Sequence, residues 1–237
     1  MDKQTRDKLK HDKLQEEFTH TVQYLGSHKE MVRKYGLIAG GVLVLIIAGW
    51  SFMNYQRTSR QDDLRKAAMV VDGFVGDPAQ NPTGGPTFKT QTEKDAASEK
   101  AFLEVANKHK GSREGALARF NAATLACDQG KLAECEAGFK EVAGSSDAEM
   151  VSLARLSLAT LYQAQGKAGD AEALLRQLVA SPTALVSKEQ AQISLAKALA
   201  RTKPQEARLL VESLKDVDRP AVSRAAVGVL GELSQQR

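Results

Sequence analysis

The strongest pattern along the chain is a run of uncharged, mostly apolar residues at positions 35–56. Its centre, residues 36–55, is rich in Leu, Ile and Val, and Tyr35, Trp50 and Tyr55 lie towards its ends. About 20 apolar residues in a helix cover the roughly 30 Å hydrocarbon layer of a bilayer, and aromatic rings favour its interfaces. The pattern therefore predicts a transmembrane helix at 36–55 that contacts the lipid bilayer.

Two other interpretations of this run fit less well. A buried core helix is seldom so long and so uniformly apolar. A cleavable signal peptide usually has a shorter leader than the 34 residues found here, and no A-x-A-like site follows Ala48. We therefore expect an uncleaved anchor.

Basic residues are more numerous before the run than after it, and by the positive-inside rule this predicts a cytoplasmic N-terminus. The eight on the N-terminal side are Lys3, Arg6, Lys8, Lys10, Lys13, Lys29, Arg33 and Lys34. The next twenty residues after the run hold four, which are Arg57, Arg60, Arg65 and Lys66. Residues 57–237 are then extracytoplasmic, which in a diderm bacterium means periplasmic and anchored in the inner membrane.

The first 35 residues have a weaker helical pattern. Apolar residues recur among charged ones at Leu9, Leu14, Phe18, Val22 and Leu25. This spacing predicts a cytoplasmic amphipathic segment at 1–35, either held against anionic lipid by its lysines or simply solvated.

After the run, the chain repeats itself with a period of 36 or 37 residues. One series is FLEVA at 102–106, FKEVA at 139–143, LRQL at 175–178 and VESL at 211–214. The other is ARFNA at 118–122, ARLSLA at 154–159 and AQISLA at 191–196. Each unit is thus a helix A, a short turn and a helix B. This repeat length and layout are typical of a tetratricopeptide solenoid.

The turns agree with this interpretation. Gly130 and Gly166 each lie in a Gln-Gly-Lys triplet, where a helix would end in a left-handed residue, and Pro204 interrupts the third unit at the equivalent place. Residues 57–75 form an apolar stripe that predicts a further helix, and residues 76–92 are a Gly- and Pro-rich loop. A last helix at 221–233 has no B partner and would cap the stack.

One unit resembles a tetratricopeptide repeat residue by residue. The positions that carry the resemblance are Ala154, Leu158, Ala159, Tyr162, Gly166, Asp170, Ala171, Leu175, Leu178 and Pro182. The overall plan, a short leader, one span and then degenerate repeats, is similar to that of the ancillary SecYEG translocon subunit family. The expected fold is all-α, with the amphipathic and transmembrane helices followed by about four helix pairs and a capping helix.

Composition and motifs exclude most site chemistry. The net charge of +4 and pI near 9.0 come without a concentrated basic patch, so nucleic acid is not an expected partner. His11, His20, His28 and His109 are scattered, so no metal site is expected. Phosphate-binding glycine motifs and nucleophile motifs are absent from the sequence. We therefore expect no enzyme, no cofactor and no small-molecule substrate.

A helical stack instead offers a surface for other proteins, lined by its A helices. In register, Phe120, Leu156 and Ile193 fall at one equivalent position, and one turn further on lie Thr124, Thr160 and Lys197. These six residues, the A-helix stripe, are the candidate partner-binding residues, and the alternative is that the three apolar ones only fill the core. A clamp for acidic C-terminal peptides is disfavoured, because the Lys, Asn and Arg that it needs are mostly replaced by apolar and hydroxyl residues.

Cys127 and Cys135 lie three residues before and five after Gly130, on facing helices of one repeat. They are either a disulfide or two reduced thiols packed in the core. The function that the resemblance implies is a membrane-anchored interaction module at the Sec translocon, with translocon subunits and periplasmic folding factors or clients as partners. The alternative is a scaffold subunit of an envelope-assembly or cell-division complex unrelated to secretion.

Overall fold

The computed structural model describes residues 29–82 and 84–235, with the backbone alone for 29–32. The amphipathic pattern from Leu9 to Leu25 lies outside the described residues. The helices are α1 (Lys29–Val71), α2 (Gln91–Lys108), α3 (Arg113–Asp128), α4 (Leu132–Ala143), α5 (Ala148–Ala164), α6 (Ala168–Ala180), α7 (Lys188–Leu199), α8 (Pro204–Glu212) and α9 (Pro220–Gln235). Two-residue strands β1 (Phe74–Val75) and β2 (Thr87–Phe88) pair in parallel between α1 and α2.

The chain divides into two compact units, residues 1–58 and 59–237, at a boundary within α1. In the first unit, the apolar run is exposed along its whole length. Its large side chains, from Tyr35 to Tyr55, are each at least 50% exposed, and none of the most apolar window is buried. This helix is long and apolar enough to cross a membrane, and it is not the core helix of a globular domain.

In the second unit, each helix from α2 onward packs against the next one along the chain, as the repeat pattern predicts. The pairs are α3 with α4, α5 with α6, and α7 with α8, whereas residues 59–71 contact α2 through Ala67, which is buried in a cluster with Phe102 and Val105. The last helix, α9, packs against both α7 and α8, so the predicted cap is confirmed. The predicted all-α fold is therefore confirmed.

Small residues at the repeat period let these helices approach closely. The equivalent position of the B helices holds Ser98, Cys135, Ala171 and Ala207, all at most 2% exposed. The A helices have Ala118, Ala154 and Ala191 at their own equivalent position, each 0% exposed. Larger buried side chains such as Phe139 and Leu175 fill the space between the helices, so the core repeats with the sequence.

The helix ends follow from local chemistry. Side-chain oxygens of Ser112, Asp147 and Ser187 accept hydrogen bonds from backbone N–H groups in the first turns of α3, α5 and α7. At the other end, Gly130 and Gly166 both have a φ of +74°, a conformation that favours glycine. The predicted left-handed helix ends are therefore confirmed.

Between α1 and α2 the structure differs from the sequence prediction. The helix expected to reach residue 75 ends at Val71, because Phe74 and Gly76 donate backbone hydrogen bonds to the second strand segment, to Pro86 O and Phe88 O, both at 2.9 Å. The segment predicted as a loop at 76–92 contains a 3-10 turn at Pro78–Gln80 and the strand β2, and α2 already begins at Gln91.

Candidate functional site

The A-helix stripe lies at equivalent positions on three successive A helices, and its apolar members are half-buried. Phe120 on α3, Leu156 on α5 and Ile193 on α7 each pack against the main core cluster while keeping part of their surface exposed. The inner side of Phe120 contacts the buried Phe139, with ring centroids 5.1 Å apart. These side chains thus belong partly to the core and partly to the surface.

The polar members of the stripe are exposed. The hydroxyls of Thr124 and Thr160 donate to the carbonyl oxygens of Phe120 and Leu156, each at 3.1 Å. Lys197 occupies the same position on α7 and forms no ion pair within residues 29–82 and 84–235. The outer surfaces of these three side chains are therefore available on three successive A helices.

The two cysteines lie on facing helices of one repeat. Cys127 is at the end of α3 and Cys135 in the first turn of α4, with their Cα atoms 5.0 Å apart and the sulfurs joined. That Cα separation is within the range for a disulfide. Cys135 is fully buried, at the position where the other B helices carry Ser or Ala.

A ladder of ion pairs, which sequence reasoning missed, connects successive B helices. The residue before each of the last three B helices is a lysine, and its side chain reaches a glutamate on the preceding B helix. The pairs are Lys131 with Glu99 at 2.7 Å, Lys167 with Glu136 at 3.5 Å, and Lys203 with Glu172 at 2.8 Å. The signal in the sequence was the recurrence of Lys and Glu at the repeat period, although their contact depends on the stacking.

Several carboxylates of this network have a lowered pKa. Lys140, 2.7 Å away, and the hydroxyl of Tyr162 hold the pKa of Glu136 below its usual value. Lys203 and Arg176 lower the pKa of Glu172. At the start of the second unit, Lys108 and then His109 lower the pKa of Asp63, with their nitrogens 2.7 and 2.8 Å from one carboxylate oxygen.

These shifts predict acid sensitivity. A carboxyl group whose pKa is lower in the folded than in the unfolded state stabilises the fold above its unfolded pKa, near 4, and this stability is lost as the pH falls through the folded pKa. We expect the melting temperature of the full chain in detergent to be steady from pH 7 to 5 and to fall by several degrees below about pH 4. The Glu172→Gln variant should lose less over the same range. A profile that stays flat to pH 3 would contradict the prediction.

A cleft of about 670 Å³ lies between α4, α5 and α6. Its charged lining residues are Glu136, Lys140, Arg155, Lys167 and Asp170, and its apolar ones include Leu158 and Leu174. The ammonium of Lys167 lies 5.1 Å from the ring centroid of Tyr162. No member of the A-helix stripe lines the cleft, so it is a second surface.

A larger cavity of about 800 Å³ lies between the α2–α3 and α4–α5 connections. Its arginine, Arg113, is already paired with Glu149 at 2.6 Å and Asp147 at 3.8 Å. Within residues 29–82 and 84–235, no three His, Cys, Asp or Glu side chains are grouped as a metal ion would require.

Comparison with known families agrees with the helical geometry. A family model described as a tetratricopeptide repeat-like domain matches residues 29–208, most of the chain, and it indicates no catalytic family. In the comparisons with curated proteins and with solved structures, no protein matches the chain.

Proposed function

Because this chain belongs to the tetratricopeptide repeat-like domain family, we propose that it is a membrane-anchored module that binds other proteins. Stacked helix pairs of this kind present extended surfaces on which a helix or an extended segment of a partner can lie. The observation that carries the proposal is the A-helix stripe, in which half-buried apolar side chains and exposed polar ones recur on three successive A helices.

The anchor is the exposed apolar part of α1. Thirteen large hydrophobic side chains between Tyr35 and Tyr55 are at least 50% exposed, a surface that needs lipid or another apolar environment. The positive-inside rule favours a cytoplasmic location for the basic flank before the span at 36–55, and residues 57–237 then lie outside the cytoplasm. The compartment that fits is the periplasm of a bacterium, with the anchor in the inner membrane.

The finer proposal is a role beside the Sec translocon, with translocon subunits and periplasmic folding factors or clients as partners. It is supported by the order of segments, a leader, one span and then degenerate repeats. Co-purification of the full chain in mild detergent tests this role. Recovery of translocon subunits supports it, whereas recovery of division or envelope-assembly proteins instead favours a scaffold role.

A variant on the stripe tests whether it holds the partner. Thr160 is exposed and its hydroxyl bonds only within its own helix, so we expect Thr160→Glu to leave the melting temperature nearly unchanged while weakening partner capture by about 1–3 kcal/mol, as for an interface anchor. Partner titration and melting are measured on the same sample. Gln205→Glu, at a site that is also exposed but lies on a B helix, is the control and should bind normally.

The Leu156→Glu variant separates binding from stability less well, because the inner side of Leu156 packs against the core. The melting temperature of this variant should therefore fall as well as its partner capture. Unchanged partner capture by Thr160→Glu would contradict the assignment of the stripe as the binding surface.

The cysteine pair tests the compartment. We propose that Cys127 and Cys135 are bridged in the cell, because a periplasmic location allows disulfides whereas the bacterial cytoplasm keeps thiols reduced. Thiol labelling of chain trapped in acid and then unfolded without reductant is expected to find no free thiol. Reduction should then cost about 2 kcal/mol of stability, the amount expected for so short a loop. Two free thiols per chain would contradict the bridge and remove this support for an oxidising location.

A further inference from the structure

Two successive repeats carry the same arginine in different surroundings. In one, Arg119 on α3 forms an ion pair with Glu141 on α4, at 2.6 Å. Gly138 lies at the contact between these two helices, because a Cβ at that position would lie 2.6 Å from the Cβ of Ala123 and 3.0 Å from a guanidinium nitrogen of Arg119. In this repeat, the niche around the arginine is therefore already filled by a carboxylate of the same chain, that of Glu141.

In the next repeat, 36 residues later, the three positions are Arg155, Leu174 and Gln177. All three line the cleft between α4, α5 and α6. The arginine is kept, but its carboxylate is replaced by a neutral amide and the glycine by a leucine. Arg155 has no ion pair within residues 29–82 and 84–235. The cleft thus contains the guanidinium of a half-buried arginine, a group well suited to bind a carboxylate, and this guanidinium forms no ion pair with Glu136 or Asp170, the two carboxylates that line the same cleft.

The other cations of the cleft are already engaged. Lys140 and Lys167 both approach Glu136, at 2.7 and 3.5 Å, which leaves Arg155 as the cation to meet an incoming acid. Beside it, the half-buried Leu174 supplies an apolar contact, whereas Leu158, which also lines the cleft, is only 3% exposed. The unpaired guanidinium of Arg155 and the adjacent apolar side chain of Leu174 together favour an acidic side chain with an apolar neighbour.

We propose that this cleft binds a segment of a partner protein that places an Asp or Glu side chain on Arg155 and an adjacent apolar side chain against Leu174. The carboxylate comes from a side chain, as it does from Glu141 in the sister repeat. The proposal rests on the proposed protein-binding function and adds a second surface to it, with a defined recognition chemistry.

The matched variant is Gln177→Glu. It restores the Arg–Glu pair of the sister repeat and occupies Arg155 from within, so it should keep or slightly raise the melting temperature while closing the site. Arg155→Gln removes the guanidinium, and Arg155→Lys keeps the positive charge but cannot form the bidentate hydrogen bonds of a guanidinium with a carboxylate. Arg119→Gln, in the niche that is already filled, is the control.

The test selects random peptides of twelve residues, displayed as internal segments, on the purified full chain in detergent. We expect the recovered peptides to be enriched in Asp or Glu next to Leu, Ile, Val or Phe. Synthetic copies should bind about tenfold more weakly to Arg155→Gln and to Gln177→Glu, with an intermediate loss for Arg155→Lys and no loss for Arg119→Gln.

Recovered peptides without acidic enrichment, or with equal affinity for the Arg155→Gln variant, would overturn the proposal. If peptide binding is weakened by Thr160→Glu but not by Arg155→Gln, the cleft is not the binding site. The A-helix stripe and the proposed protein-binding function would then still stand. Recovery of no peptide at all would oppose both.

Discussion

Replacing Phe139 by alanine is expected to lower the unfolding free energy of the repeat domain by about 3–5 kcal/mol, the usual cost of removing a buried phenyl ring. Phe139 is 4% exposed and contacts Phe120 of the neighbouring helix. The cavity would lie between α3 and α4, where the helices cannot close on it without moving the adjacent repeats. For a domain of this size, the melting temperature should fall by roughly 10 °C.

The control for this variant is Leu209→Ala. Leu209 is 75% exposed on α8, so its replacement removes little buried surface and should change stability by less than about 0.5 kcal/mol. Both variants are measured by thermal and urea unfolding of the full chain in detergent. Equal losses for the two would show that the helices do not stack as described.

Arginine placed at both Leu43 and Ile46 is expected to release the protein from the membrane. Both side chains lie in the middle of the apolar run and are more than half exposed. An arginine near the centre of a span costs about 2.5–3.5 kcal/mol for insertion, so the two together oppose it by about 6 kcal/mol. Carbonate extraction of membranes followed by fractionation measures the effect.

The matched control carries arginine at Thr58 and Met69, on the same helix but outside the apolar run, where both residues are exposed. This variant should stay in the carbonate-resistant pellet. If the Leu43 and Ile46 variant also stays there, the run is not the anchor.

The candidate site was only partly accessible to sequence reasoning. The period predicts that Phe120, Leu156 and Ile193 share one face, since equivalent residues of a regular stack have equivalent neighbours, and the structure shows all three packed in part against the core. Their half-burial could not be predicted, because it depends on how far side chains such as Phe139 extend between helices. The sequence shows that Gln177 occupies the position equivalent to Glu141 in the preceding repeat, so that the carboxylate is missing there. Only the contact between Arg119 and Glu141 in the structure identifies this position as the partner of the arginine.

Local and repeated features were determined by the sequence alone. The period of 36 or 37 residues, the small residues at Cys135 and Ala171, and the glycines at Gly130 and Gly166 specify helix pairs and their turns, because helix ends and close helix contacts constrain the residues at those positions.

Only the tertiary structure decided what lies between repeats. The helix α1 ends at Val71 because the backbone of Phe74 pairs with Pro86, more than ten residues further along the chain. Only the structure also shows the ion pairs of Lys131, Lys167 and Lys203 with glutamates about 31 or 32 residues earlier. Such contacts arise from the stacking of whole helices, whose angle and distance depend on all of the packed side chains together rather than on any local pattern.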